Sequence, residues 1–271
     1  MPDSVSWRVN REVALVLAGG RALLMQIAHP SVAAGVLEHS NWNSRPLNRL
    51  LRTLDLFWTL NFGDRRQVLE TAQAINRTHR RVRGAGYTAQ DPRLLLWVHA
   101  TLIDSALVAY EAFVGKLTPA EKEEYLCQTR RVGALLGVEA GEYPRDMASF
   151  RRYLAEMLET ELRVDEGTRE LGRAVLSTPL RFLPDAAMAP LRAAAVGLLP
   201  PELREAYGMP WGRPQRALLA SMRWAVPRLL PVLPGILREA PPARAARRRL
   251  EAGHALSGPP TKVSGSESGS L

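Results

Sequence analysis

Apolar residues recur at helical spacing along nearly the whole chain, and no segment sustains the alternation that marks a half-buried strand. An all-α fold is therefore expected, and the punctuation of the pattern says where its helices break. Residues 11–28 read as one helix that ends near His29, because Pro30 disfavours helical geometry in the residue before it. A short helix follows to about His39, and another runs from about Leu47 to Leu60. Asp64, Asp91 before Pro92, and Thr118 three residues before Glu121 are the side chains that cap helix N-termini. Residues 146–160 carry a further amphipathic pattern through Phe150, Tyr153, Leu154 and Met157.

Proline divides the chain. Twelve of its 20 prolines lie between Pro179 and Pro242, so short or broken helices are expected there. The reading is a single multi-helix domain over residues 8–252, of which 168–252 form a proline-rich helical C-terminal extension. The Gly-, Ser- and Pro-rich tail, 253–271, has the composition of a disordered segment.

Charge follows the same division. The net charge of +9 is nearly absent from residues 1–168, where 21 Lys and Arg meet 20 Asp and Glu. Residues 169–252 hold 14 basic against 6 acidic residues. The cluster Arg244, Arg247, Arg248 and Arg249 lacks the interleaved aromatics of a nucleic-acid site, so no nucleic-acid partner is expected. Region 191–239 instead alternates Leu-rich pieces with Arg and carries Trp211 and Trp224, a pattern suited to peripheral contact with an anionic membrane.

Other classes fall away. The single Cys127 excludes an intramolecular disulfide, a Cys-rich zinc site and a multi-Cys iron–sulfur cluster. No uninterrupted apolar run approaches the length of a membrane span, and Met1–Glu12 lacks a signal-peptide apolar stretch. A cytoplasmic location, with membrane contact at most peripheral, is the expectation.

Several residues could carry chemistry. His99 lies mid-helix with Leu95, Leu96, Leu102 and Ile103 around it, which suits either an axial iron ligand or a core histidine satisfied by a neighbour. His79 sits on an apolar face among Arg77, Arg80, Arg81 and Arg83, and could ligate metal, bind an anion or pack at a helix end. Arg49, Arg52 and Thr53 share one helix face, as an anion site or a solvated face would. Gly19-Gly20 within a helical pattern points to close approach by another helix or by a flat cofactor.

The stretches Gly19–Pro30, Arg49-x-x-Arg52-Thr53, Asp91–Leu102 and Leu203–Gly208 resemble one family. It contains the oxygenase MpaB and the catalytic domain of the latex-clearing rubber oxygenases. The resemblance spans roughly residues 8–250 and implies a globin-like helical core around haem b, with dioxygen and a lipophilic, plausibly isoprenoid, substrate. It implies His99 as the iron ligand, Arg49 and Thr53 beside the haem, and Arg52 as a propionate or distal-pocket group, with Arg52 and Thr53 also catalytic candidates; His79 is a further candidate for the cofactor site, read from its position alone. Arg52 stands where those enzymes carry a lysine able to cap the distal face. An arginine does not surrender its proton to do so. Glu38 is the candidate for their distal glutamate base. The alternative is a non-catalytic helical protein without haem that docks on a membrane surface or a partner.

Overall fold

A computed structural model describes residues 3–39, 46–177 and 185–256; the side chains of 46–51, 185 and 253–256 lie outside the description. The caps act where local chemistry places them. Ser4 accepts from the Trp7 amide at the start of α1 (Val5–Asn10). A 3₁₀ helix, Val13–Ala18, runs straight into α2 (Gly19–Ile27), so the predicted helix 11–28 is two helices of different pitch. Pro30 then opens α3 (Pro30–His39) at 103° to the preceding pair. α4 (Pro46–Phe62) precedes α5 (Arg65–His79), where Asp64 and Gln67 form a reciprocal capping box.

A ribbon of two-residue strands, β1 (Arg83–Gly84) and β2 (Tyr87–Thr88), turns the chain into α6 (Pro92–Phe113), which Asp91 caps through the Arg93 amide. Thr118 and Glu121 cap α7 (Pro119–Leu135) as their spacing predicts. α8 (Met147–Glu156) continues as a π-helical turn, Met157–Glu161, before α9 (Glu166–Leu176). Four short or proline-marked helices follow: α10 (Ala189–Gly197), α11 (Pro201–Ala206), α12 (Arg213–Leu229) and α13 (Gly235–Arg238). The last helix, α14, spans Pro241–Leu256. The fold is all-α, as the periodicity predicts. The tail beyond residue 256 lies outside the described residues.

α6 is the axis of the core. Trp97, Ala100, Ala109 and Phe113 have no exposed surface, and the helix packs against α2, the 3₁₀ helix, α7 and α12. By length and hydropathy it could cross a membrane, but 67% of its most apolar window is buried within the protein, as in a core helix of a globular domain.

The segment after residue 168 is woven into this core. α10 packs on both α2 and α12, and the Tyr207 hydroxyl donates to the Leu24 carbonyl at 2.7 Å. Farther along, Arg238 donates through Nε and Nη2 to the fully buried Glu12 carboxylate, each at 3.0 Å, and the Ala240 amide donates to the Arg11 carbonyl.

Gly20 shows how tightly α2 and α10 approach. A Cβ there would lie 2.7 Å from the Ala195 Cβ, a distance that rigid helices cannot relieve. Gly20→Ala is therefore expected to lower stability by about 1–3 kcal/mol, although alanine is the better helix former. In an Ala195→Gly background the same change should be neutral or stabilising. A urea-unfolding double-mutant cycle checks this, and equal effects in both backgrounds would show that the approach is not limiting.

Candidate functional site

The site is assembled along one side of α6. Two cavities lie there, one lined by Leu94, Leu95 and Val98 and the other by Leu102, Ser105 and Ala106. Helical rise puts the two sets about one turn apart. The larger cavity, about 540 Å³, is bordered by α3, the end of α5 and the ribbon. Its apolar wall includes Val32, Val36, Val82 and Leu95, and its polar groups include Arg52, His39 and His79. That size and that mixture are typical of small-molecule and cofactor sites. The smaller cavity, about 80 Å³, lies between α2 and α4.

His99 sits on α6 between the levels of the two cavities but belongs to neither lining. Its ring is 6% exposed, and Nδ1 is 2.8 Å from the Tyr143 hydroxyl in an edge-on arrangement of the two rings. Among the described residues Nε2 has no hydrogen-bond partner. Burial pushes the imidazole down to about 4 and holds the Tyr143 phenol above its ordinary value, so both groups are neutral near pH 7.

The pair depends on a third residue. Gly133, in the last turn of α7, faces both rings. A Cβ there would collide with the Tyr143 hydroxyl and lie 3.0 Å from His99 Nδ1. Sequence reasoning missed both partners. A glycine inside a capped helix signals close approach, but nothing local to Tyr143 announces that its loop returns to α6.

The remaining candidates divide. Arg52 lines the larger cavity and its neighbour Thr53 the smaller, so the face they share spans both. The Arg49 side chain lies outside the described residues. His79 closes α5 and lines the larger cavity; its Nδ1 is buried without a hydrogen-bond partner, and desolvation lowers its pKa. Glu38 is exposed and outside the lining, where it accepts from the Tyr87 hydroxyl at 2.6 Å; the Tyr87 ring itself lines the cavity. His39 also lines it and meets the Arg83 carbonyl at 3.0 Å.

The glycine pair plays two parts. Gly20 packs against α10, whereas Gly19 lines the smaller cavity beside Ala22 and Gln26.

The donor chemistry here suits a porphyrin rather than a bare ion, although His99 itself lines neither cavity. Among the described residues no three His, Cys, Asp or Glu side chains gather to hold a metal. A porphyrin brings four nitrogen ligands of its own and needs only one buried neutral imidazole from the protein. A histidine whose Nδ1 is held by a partner and whose Nε2 is unengaged is the usual form of such a ligand.

Two outcomes follow from this geometry. The unfolded chain takes up protons that the buried His99 and the part-buried His29 and His79 resist, so stability is full above about pH 6.5 and declines towards pH 4. His99 should account for about 3 kcal/mol of that decline. His99→Gln, which retains a partner for Tyr143, should flatten the decline in urea unfolding; an unchanged profile would exclude His99 as the group. Gly133→Ala should displace Tyr143 and cost about 1–3 kcal/mol. Unperturbed His99 ring resonances in that variant would contradict the packing described.

The family model described as "ER-bound oxygenase mpaB/B'/Rubber oxygenase, catalytic domain" matches residues 7–228. The uncharacterized proteins Mb2261 of Mycobacterium bovis and Rv2237 of Mycobacterium tuberculosis are each 31% identical to the chain over 230 residues, covering 77% of it and 87% of their own length. No solved structure gives a significant match. The chain belongs to the family of MpaB and rubber oxygenase catalytic domains.

Proposed function

We propose that this protein is a haem b-dependent oxygenase that acts with dioxygen on a lipophilic, unsaturated substrate such as an isoprenoid. The observation that carries the reading is His99, a buried imidazole kept neutral by its surroundings, with Nδ1 engaged by Tyr143 and Nε2 left for iron. In that role Nδ1–H donates to the Tyr143 oxygen, which fixes the tautomer and the ring plane.

The other residues suit the same task. Arg52 would hold a haem propionate from the wall of the larger cavity, with Arg49 one helical turn before it. Thr53 stands beside the smaller cavity, where a hydroxyl can orient a bound polar atom. His79 offers a second neutral imidazole on the larger cavity. Glu38 meets two groups that line that cavity, the Tyr87 hydroxyl at 2.6 Å and His39 Nε2 at 3.9 Å, so a proton it moves would pass through one of them. Bound haem supplies the oxygen chemistry. The protein supplies the ligand, the anion site and an apolar wall that favours a hydrocarbon chain over water.

Haemin titration of the purified protein tests this. A Soret band should grow to one equivalent, and His99→Ala should abolish or strongly shift it. Tyr143→Phe should keep haem but weaken its retention by about 10- to 100-fold, the usual effect of losing a ligand's hydrogen-bond partner. Protein that remains colourless with added haemin would overturn the proposal.

A further inference from the structure

Nine large apolar side chains are exposed among the described residues, and six of them fall between Trp224 and Leu237. Trp224 is 64% exposed, Val232 75% and Ile236 64%, with Leu229 and Leu237 at 59% each. The other three, Leu37, Leu69 and Leu250, are far from them and from one another in sequence. Scattered exposed leucines need no explanation, but a run of this kind marks an interaction surface.

The run is a built tip. Leu230 is buried against the core cluster that contains Ala109 and Phe113, and Arg238 is anchored on Glu12, so both ends of the protruding stretch are fixed. Pro227, Pro231 and Pro234 have no N–H to leave unpaired. The amides of Leu233, Leu237, Arg238 and Glu239 donate within the segment, to Leu230, Pro234 and Gly235 carbonyls. An apolar medium penalises unpaired backbone donors, and this tip presents few of them.

Charge identifies the medium. Between Glu205 and Glu239 there is no carboxylate side chain, whereas Arg213, Arg216, Arg223, Arg228 and Arg238 lie in that interval. Arg238 serves the internal ion pair, but Arg213, Arg216, Arg223 and Arg228 are exposed. Arg228 folds over the Trp224 ring at 4.7 Å and donates to its carbonyl at 2.7 Å, which places a cation beside the indole. A Trp-bearing apolar stretch with Arg228 on the indole and exposed arginines on the same helix matches the boundary between acyl chains and anionic headgroups.

We propose that the protein docks on anionic lipid bilayers through Trp224, Leu229, Val232, Ile236 and Leu237, with the exposed arginines of α12 on the headgroups. The proposal is independent of haem. It gives the protein access to substrates that dissolve in membranes.

Flotation of the full-length protein tests it, with phosphatidylcholine vesicles against vesicles containing about 30 mol% phosphatidylglycerol. The protein should float with the anionic vesicles only, and salt should release it. Leu229→Ser/Ile236→Ser and, separately, Arg216→Glu/Arg223→Glu should each weaken binding by about tenfold or more while unfolding midpoints stay unchanged, since these side chains are exposed. Trp224 emission should shift to the blue on binding, and Trp224→Phe should remove that shift. Wild-type protein that fails to float, or variants that float equally well, would overturn the proposal. So would light scattering that shows a dimer dissolved by the Leu229→Ser/Ile236→Ser change, because the tip would then be covered by a second copy.

Discussion

The arrangement depends on one buried cation. Arg21 is 3% exposed, and its guanidinium reaches three places: the Asp104 carboxylate at 2.5 Å, the Ser105 hydroxyl at 2.6 Å and the Leu198 carbonyl at 2.7 Å. One side chain therefore ties α2 to α6 and both to the end of α10. A charge in this position is tolerated only while its donors are satisfied, and loss of either ionic partner would strand the other at a cost of about 3–5 kcal/mol. The pair adds little net stability but fixes register. With α2 held against α6 in one orientation, Gly20 can meet Ala195 and Gly19 can face the smaller cavity.

From that register follows the environment of His99. α6 is buried on most of its circumference, so an imidazole at its centre is stripped of water and held neutral. One nitrogen is satisfied by a tyrosine that a loop brings back to the helix, and the space for that tyrosine exists because position 133 has no side chain. The same helix presents its neighbouring stripe, Leu95, Val98, Leu102 and Ala106, to two adjoining cavities. A core helix thus serves at once as scaffold and as carrier of the buried imidazole.

How much was legible in the sequence depended on the range of the interaction. The caps at Asp64, Asp91 and Thr118 are local chemistry within three residues, and each forms as its spacing predicts. His99 was visible because helical periodicity placed it on an apolar stripe. Its partner was not, because Tyr143 lies 44 positions away in an irregular loop. Arg52 and Thr53 share a helix face, yet the face spans two cavities, a division set by the helices packed around it and not by the spacing. Composition after residue 168 suggested an appended extension. The structure instead interleaves that segment with the first helices through Ala195, Tyr207 and Arg238, contacts between positions about 175 or more apart.

As proposed, His99 and not His79 would hold iron. The most direct measurement is the iron–imidazole vibration of the haemin-reconstituted, reduced protein by resonance Raman spectroscopy. That signal should be present in the wild type, be lost in His99→Gly and return when free imidazole is added to the variant. The same signal in His99→Gly without imidazole, abolished instead by His79→Gly, would contradict the proposal.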